Sequence, residues 1–444
     1  MEATRVTLPR IAHRGPSVLT VGFGAAVGMW AVGYVSRLPG VMLPSPVLLA
    51  LVLTCLLAGG WVLGRYAGLG WRHGALAGLL TGSINLLVLG SFLMGDRPAA
   101  TMPSALVWLP GSILIAVGLA AAGALVGRQW FRREQPFVEW SAAFVRVAIV
   151  SVLLLLVMGG LVTSTGAGLA VVDWPNSFGY NMFLYPFSRM TGGIYYEHAH
   201  RLFGALVGLT TLVLAVHLQL REPRAWVRRL GWSVLAMVVI QGLMGGLRVT
   251  GGLTLSTSPQ AMRPSIALAM IHGVFGQLVF GTLVALGAFT SATWRGNAEP
   301  TRRRSARIDQ ALAWLLVAVL FAQLILGAAQ RHLSTMLMVH IAFGVAVVAP
   351  VALHVGFRAW GTNAGQRPLR RVGLGLAIAV ALQLGLGLAA FAATRGSPGQ
   401  AGEVLLTTAH QGFGAVLLAL AVTLLCWSHR LLSRHPAEPV SGTP

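Results

Sequence analysis

Glu197-His198-Ala199-His200-Arg201-Leu202-Phe203-Gly204 ends in a five-residue pattern, His-x-x-Phe-Gly, that returns three times further along the chain. It returns as His272…Phe275-Gly276, His340…Phe343-Gly344 and His410…Phe413-Gly414, at intervals of about 70 residues. With 12 His, 17 Phe and 55 Gly among 444 residues, chance predicts about 0.06 occurrences. Four at near-constant spacing mark a repeated two-helix unit. The helix expected before each histidine also closes alike, on Met158-Gly159-Gly160, Met244-Gly245-Gly246, Leu326-Gly327 and Leu386-Gly387. Gln241, Gln323 and Gln383 precede three of these endings by about one helical turn.

Outward from the repeat, apolar runs long enough to cross a bilayer recur along the whole chain. Their centres fall near residues 27, 54, 84, 115, 153, 209, 239, 280, 320, 347, 382 and 417. Only 10% of the residues are charged and 56% are hydrophobic, which leaves too little polar surface for a soluble domain of this size. The expected fold class is therefore all-α and polytopic, with about twelve transmembrane helices. The organisation expected is an extension of about four helices over 1–135, of unknown role, and a first four-helix bundle over 140–293. A second bundle over 308–430 and a tail over 431–444 follow.

The formal charge is +21, and every basic residue counted is arginine. The arginines gather in alternate gaps between apolar runs: Arg128, Arg132 and Arg133; Arg221, Arg224, Arg228 and Arg229; Arg295, Arg302, Arg303, Arg304 and Arg307; Arg358, Arg367, Arg370 and Arg371; Arg430 and Arg434. That placement reads as membrane orientation, not nucleic-acid binding, and puts both termini in the cytoplasm of a bacterial-type inner membrane. The run after Arg5, Arg10 and Arg14 is too long for a cleaved signal peptide and reads as a retained first helix. Cys55 and Cys426 both lie inside apolar runs, so neither a redox pair nor a thiolate cluster is expected.

Four ionisable side chains at equivalent depth in membrane helices point to ligation, because such groups are costly there. Zinc favours sites with thiolates or carboxylates, and copper favours added Met or Cys; neither accompanies these histidines. Haem iron needs axial imidazoles in an apolar pocket between helices. The glycine four residues after each histidine leaves room for a flat macrocycle, and the phenylalanine offers an apolar wall. Arg201, Arg248 and Arg331, at helix ends, could pair with propionates or simply anchor the helices at the interface. Stacked haems on one helix would need a second histidine at the spacing of His340 and His354. Leu214, Leu286 and Leu424 stand there instead on the other helices, so His354 and His217 read as interfacial residues.

The four units differ in one respect: only the first carries an acid beside its histidine. Glu197 shares a helical face with His200 if the helix has begun by then. There it could move a proton or stabilise a positive charge on a haem substituent, or serve as a helix-start acid favoured by the dipole. The gap before it, about 163–196, is long enough to be a functional loop. Three classes remain open on the residues alone: a haem-modifying oxidase, a dihaem cytochrome exchanging electrons with quinone, and a haem transporter or chaperone.

Gly159-Gly160-Leu161-Val162-Thr163-Ser164-Thr165-Gly166-Ala167-Gly168-Leu169, then Asp173-Trp174-Pro175, then Glu197-x-x-His200-Arg201, resemble the haem A synthase family over about residues 140–430. The resemblance implies oxidation of the C8 methyl group of haem O to a formyl group, through an alcohol and a hydrated aldehyde, to supply haem A for cytochrome oxidase. It makes His200 and His272 the axial ligands of the substrate haem, His340 and His410 those of a haem b cofactor, and Glu197 the catalytic acid. Arg201, Arg248, Arg331, Asp173 and Trp174 become candidate propionate or loop contacts. An electron donor, and haem O synthase or oxidase assembly factors, are the partners implied. The sequence departs from many bacterial members in two ways. Val171 to Ser177 hold no cysteine, and the four-helix extension is additional, its histidines His13 and His73 falling at helix ends.

Overall fold

The computed structural model describes residues 14–93, 105–132, 138–252, 263–296, 299–395 and 401–434. Arg5, Arg10, His13, Arg133 and the tail beyond Arg434 lie outside the described residues. Twelve described helices are long and apolar enough to cross a membrane, and the chain is a multi-pass all-α membrane protein. They are α1 (Arg14–Ser36), α2 (Ser45–Ala67), α3 (Trp71–Leu93), α4 (Ala105–Gln129), α5 (Trp140–Ser164), α6 (Gly192–Arg221), α7 (Ala225–Thr250), α8 (Ile266–Thr290), α9 (Ala306–Leu333), α10 (Leu337–Thr362), α11 (Arg367–Ala393) and α12 (Ala401–Leu431). Among the described residues, extended structure is confined to two three-residue strands, β1 (Thr301–Arg303) and β2 (Leu432–Arg434), paired in parallel.

The helices form two compact units, 1–158 with 166–264 and 159–165 with 265–444. In the first, α4 packs on α2 and α3, and α1 packs on α2, α3 and α6. Lipid is as apolar as leucine, so membrane helices associate through close approach of small residues. A Cβ on Gly60 would collide with the Ala120 carbonyl, and one on Gly64 with the Ala124 carbonyl. From the other side Gly123 meets the Leu57 carbonyl and Gly127 the Trp61 carbonyl. Four glycines on two helices, spaced by four, thus let α2 and α4 touch backbone to backbone. The start of α5 is held to α1 by Thr20 Oγ1 donating to the Trp140 carbonyl (3.0 Å) and by Phe23 against Phe144 (centroids 5.3 Å).

In the second unit α9, α10, α11 and α12 each pack on the next, α12 closes the ring on α9, and α8 lies against α9 and α12. The strand pair ties the segment before α9 to the end of α12. One turn of α10, Gly344–Val348, is a π-helix. Pro350 explains it. Proline has no N–H for the carbonyl four residues back, and its ring presses on that carbonyl. The wider turn takes up the misfit by including one extra residue.

Candidate functional site

In the first unit the site is built on α6. The helix begins at Gly192 after Thr191, so Glu197 lies beyond the first turn and the helix-start explanation for this acid is set aside. Glu197 and His200 share a face, one turn apart. Glu197 is 4% exposed. Its Oε1 accepts from Arg201 Nε at 3.1 Å, while Oε2 has no hydrogen-bond partner among the described residues. A buried ion pair adds little net stability, but stripping one partner from it is costly. The pair therefore fixes the carboxylate's place and leaves one oxygen free for chemistry.

Arg201 also organises the loop 165–191. Its Nη1 donates to the carbonyls of Asp173 (2.5 Å) and Asn176 (3.1 Å), and its Nη2 to that of Val171 (2.9 Å). The buried Asp173 carboxylate receives the backbone N–H of Phe178 (2.6 Å) and Gly179 (2.9 Å). It thereby holds Phe178 in a left-handed conformation, φ 52°, that a bulky residue rarely adopts. The Trp174 indole lies directly over Gly246 of α7, and the Arg248 guanidinium lies against Gly168, where in each case a Cβ would collide. Of the residues expected to contact propionates or the loop, Arg201 and Arg248 reach the loop, Asp173 braces it from within, and Trp174 packs it against α7. His198, which the sequence reading passed over, is fully buried, with Nδ1 3.0 Å from Ser177 Oγ and its ring 5.0 Å from that of Tyr185.

The extension supports this helix. Tyr34 of α1 stacks on Tyr195 (centroids 5.5 Å, planes 6° apart), whose hydroxyl donates to the Tyr34 carbonyl at 2.7 Å. Trp30 meets Phe203 edge-on at 5.5 Å. Phe203, expected as a wall for the macrocycle, thus packs against α1. The position a Cβ would take on Gly204 is open. His217, expected at the interface, is instead buried, with Nε2 3.0 Å from Ser141 Oγ; His354 is exposed.

The second unit contains His272, His340 and His410, all half-buried, as is His200 in the first. The rings of His340 and His410 lie with centroids 6.2 Å apart and planes nearly perpendicular, at 83°. Two metal–imidazole bonds of about 2 Å on opposite sides of one iron require ring centroids about 6 Å apart. The pair therefore fits bis-histidine haem ligation. Gln323 Nε2 donates to the His340 carbonyl (2.9 Å) and lies 3.1 Å from its Nδ1; Gln383 does the same to His410 (3.0 and 3.2 Å). A Cβ on Gly344 would press on the Gln323 amide, whereas one on Gly414 would meet the Gln383 amide at ordinary contact distance. Arg331 donates to Ser164 Oγ, which also lies 3.0 Å from Thr408 Oγ1.

Residues 142–342 match the COX15-CtaA family, described as cytochrome oxidase assembly protein. A protein of Bradyrhizobium sp. (strain ORS 278) named heme A synthase is 26% identical over 201 residues, covering 39% of this chain and 52% of that protein. The chain thus spans about half the length of this curated relative. Both findings support the resemblance to the haem A synthase family.

Proposed function

From this kinship over residues 142–342 with cytochrome oxidase assembly proteins, we propose that the chain is a haem A synthase, a membrane oxidoreductase that converts the C8 methyl group of haem O to a formyl group. The observation that carries the reading is Glu197: a buried carboxylate one turn from His200, with one oxygen fixed by Arg201 and the other unpartnered among the described residues. An electron carrier or a haem chaperone has no use for such a group.

In this reading His200 and His272 hold the iron of the substrate haem, an assignment that rests on the sequence repeat. His340 and His410 hold haem b, supported by the separation of their rings. Bound there, haem b supplies one-electron redox chemistry. The chain's own part is positioning and proton transfer. Arg201 and Asp173 shape the loop that shields the substrate from water. Methyl to formyl is a four-electron oxidation, for which the oxidant and the oxygen atom come from outside the chain; Glu197 Oε2 exchanges a proton with the oxygen added to the methyl carbon and balances positive charge developing on the macrocycle. The hydrated aldehyde loses water to leave the formyl group, and the same oxygen delivers the proton which that departure needs. The arginine-rich gaps support a reading in which both termini lie in the cytoplasm of a bacterial-type inner membrane and the haem sites near its outer face.

The test is acid-acetone extraction and chromatography of haems from protein made in cells that also produce haem O. The wild type is expected to yield haem b with haem O, its hydroxylated form or haem A. Glu197→Gln is expected to keep haem b and lose haem A by at least about 100-fold, the scale of a lost general acid. Undiminished haem A from that variant removes Glu197 from the mechanism. Haem b alone from the wild type supports a dihaem electron carrier instead.

A further inference from the structure

The second unit carries a feature that the haem reading does not use, at the end of α10 away from His340. Trp360, Arg367, Arg370, Arg371 and Leu374 line a shallow hollow, open on one side, where α10 gives way to α11. The two helices touch just behind it. A Cβ on Gly356 would lie 2.9 Å from the Gly373 carbonyl oxygen, and one on Gly373 2.6 Å from that of Gly356. Such close approach of small residues sets the two helices rim to rim. Arg370 Nε donates to the Trp360 carbonyl at 3.1 Å, which holds its guanidinium at the hollow.

Three guanidinium groups share this hollow, and no carboxylate lines it. Other arginines at the same end are engaged inside the protein: Arg358 and Arg303 with Asp309, Arg430 with the carbonyls of Trp294 and Gly296. Arg367 and Arg371 are exposed, and neither has a hydrogen bond or ion pair among the described residues. Membrane orientation asks for arginines at this end, but not for three around one hollow. Arg367 and Arg371 share a face of α11 with Leu374, Ile378 and Leu382, at helical spacing. These three apolar side chains are 39%, 53% and 53% exposed. On α10 the exposed Trp360 meets Phe357 edge-on, with ring centroids 6.4 Å apart. Tryptophan in such a place settles at the headgroup level of a bilayer. Cations at the helix start, with an apolar lane running from them into the membrane, match the outline of a phospholipid.

We propose that this hollow binds the headgroup of an anionic phospholipid. Arg367 and Arg371 pair with the phosphate, which guanidinium groups grip through paired N–H donors. Arg370, anchored on Trp360, adds charge, and an acyl chain lies along Leu374, Ile378 and Leu382. Basic hollows between membrane helices suit such headgroups. The apolar lane is what selects a lipid over a free phosphate, which has no use for it. The site needs no haem, so the proposal stands or falls separately from the proposed reaction.

The test uses full-length protein in detergent micelles, titrated with brominated phosphatidylglycerol, whose bromines quench nearby tryptophan. The signal is the quenching that Trp360→Phe removes. It is expected to saturate at a lower lipid fraction than with brominated phosphatidylcholine. Arg367→Gln combined with Arg371→Gln is expected to raise the half-saturating fraction about 25-fold, from about fivefold per arginine at an anionic lipid surface. Arg221→Gln combined with Arg229→Gln removes the same charge from another arginine-rich gap and is expected to leave that fraction unchanged. Equal saturation with the two lipids, no shift in the first double variant, or an equal shift in the second overturns the proposal. Loss of the signal to inorganic phosphate also overturns it, by making the hollow a free-anion site. If Trp360→Phe does not accumulate, native mass spectrometry decides. Wild type and the Arg221 and Arg229 double variant are expected to retain bound phosphatidylglycerol, and the Arg367 and Arg371 double variant to shed it; equal retention overturns the proposal.

Discussion

Arg201 joins Glu197 to the loop, and its geometry decides what can replace it. Its guanidinium serves Glu197 and three backbone carbonyls at once. Lysine carries the same charge on a point donor without the fork. Arg201→Lys is expected to keep the charge balance with Glu197 but lose at least one loop carbonyl, at about 1.5–3 kcal/mol per charge-assisted bond. Limited proteolysis should then cut within 165–191 faster than in wild type, with haem A yield reduced and haem b retained. Protection equal to wild type counts against Arg201 as the loop's organiser. Glu197 was legible in the sequence because its spacing from His200 is a helical one. The task of Asp173 was not, since it depends on the backbone angle at Phe178, which no spacing reveals. Gln323 and Gln383 were visible only as a recurrent residue before a glycine; their contacts with His340 and His410 need two helices side by side.

Hydropathy made the helices readable one by one, but not their neighbours. The apolar runs coincide with the twelve helices because length and apolarity are all that spanning requires. Which faces meet is decided by small residues, and glycine is common on many faces here. Gly64 and Gly118 separate the two cases. Gly64 abuts the Ala124 carbonyl, whereas the Cβ position at Gly118 is open. Gly64→Leu is expected to part α2 from α4 and destabilise the first unit by about 1–3 kcal/mol, the scale of overpacking. Gly118→Ala is expected to be neutral or stabilising by up to about 1 kcal/mol. Thermal unfolding in detergent distinguishes them; equal midpoints for the two variants contradict the backbone contact.

At the scale of the molecule, the polytopic class followed from composition, while the place of the extension did not. Sequence patterns gave residues 1–135 no task, because aromatic contacts such as Trp30 with Phe203 and Tyr34 with Tyr195 join positions far apart in the chain. In the first unit α1 and α3 of the extension pack against α6. Trp30→Ala, with Trp→Ala truncations in packed cores costing about 3–5 kcal/mol, is therefore expected to lower haem A yield while the haem b signal of the second unit persists. Tyr34→Ala should act in the same direction. Yields at the wild-type level for both variants would free the extension from any part in holding α6.

The π-helical turn of α10 bears on how the copies of the repeat descend from one another. Up to Gly344 and Gly414 the two histidine helices run in step, residue for residue. Past that turn α10 carries one residue more, so the true counterpart of His354 is Thr423 and not Leu424, the residue that equal counting selects. Neither can ligate iron, and the inner-haem reading fails in either register. The extra residue of the wider turn lies on the far side of the histidine, where a helix can widen without turning the imidazole away. Histidine helices that repeat in sequence can thus differ in length past the histidine while the histidines stay in register.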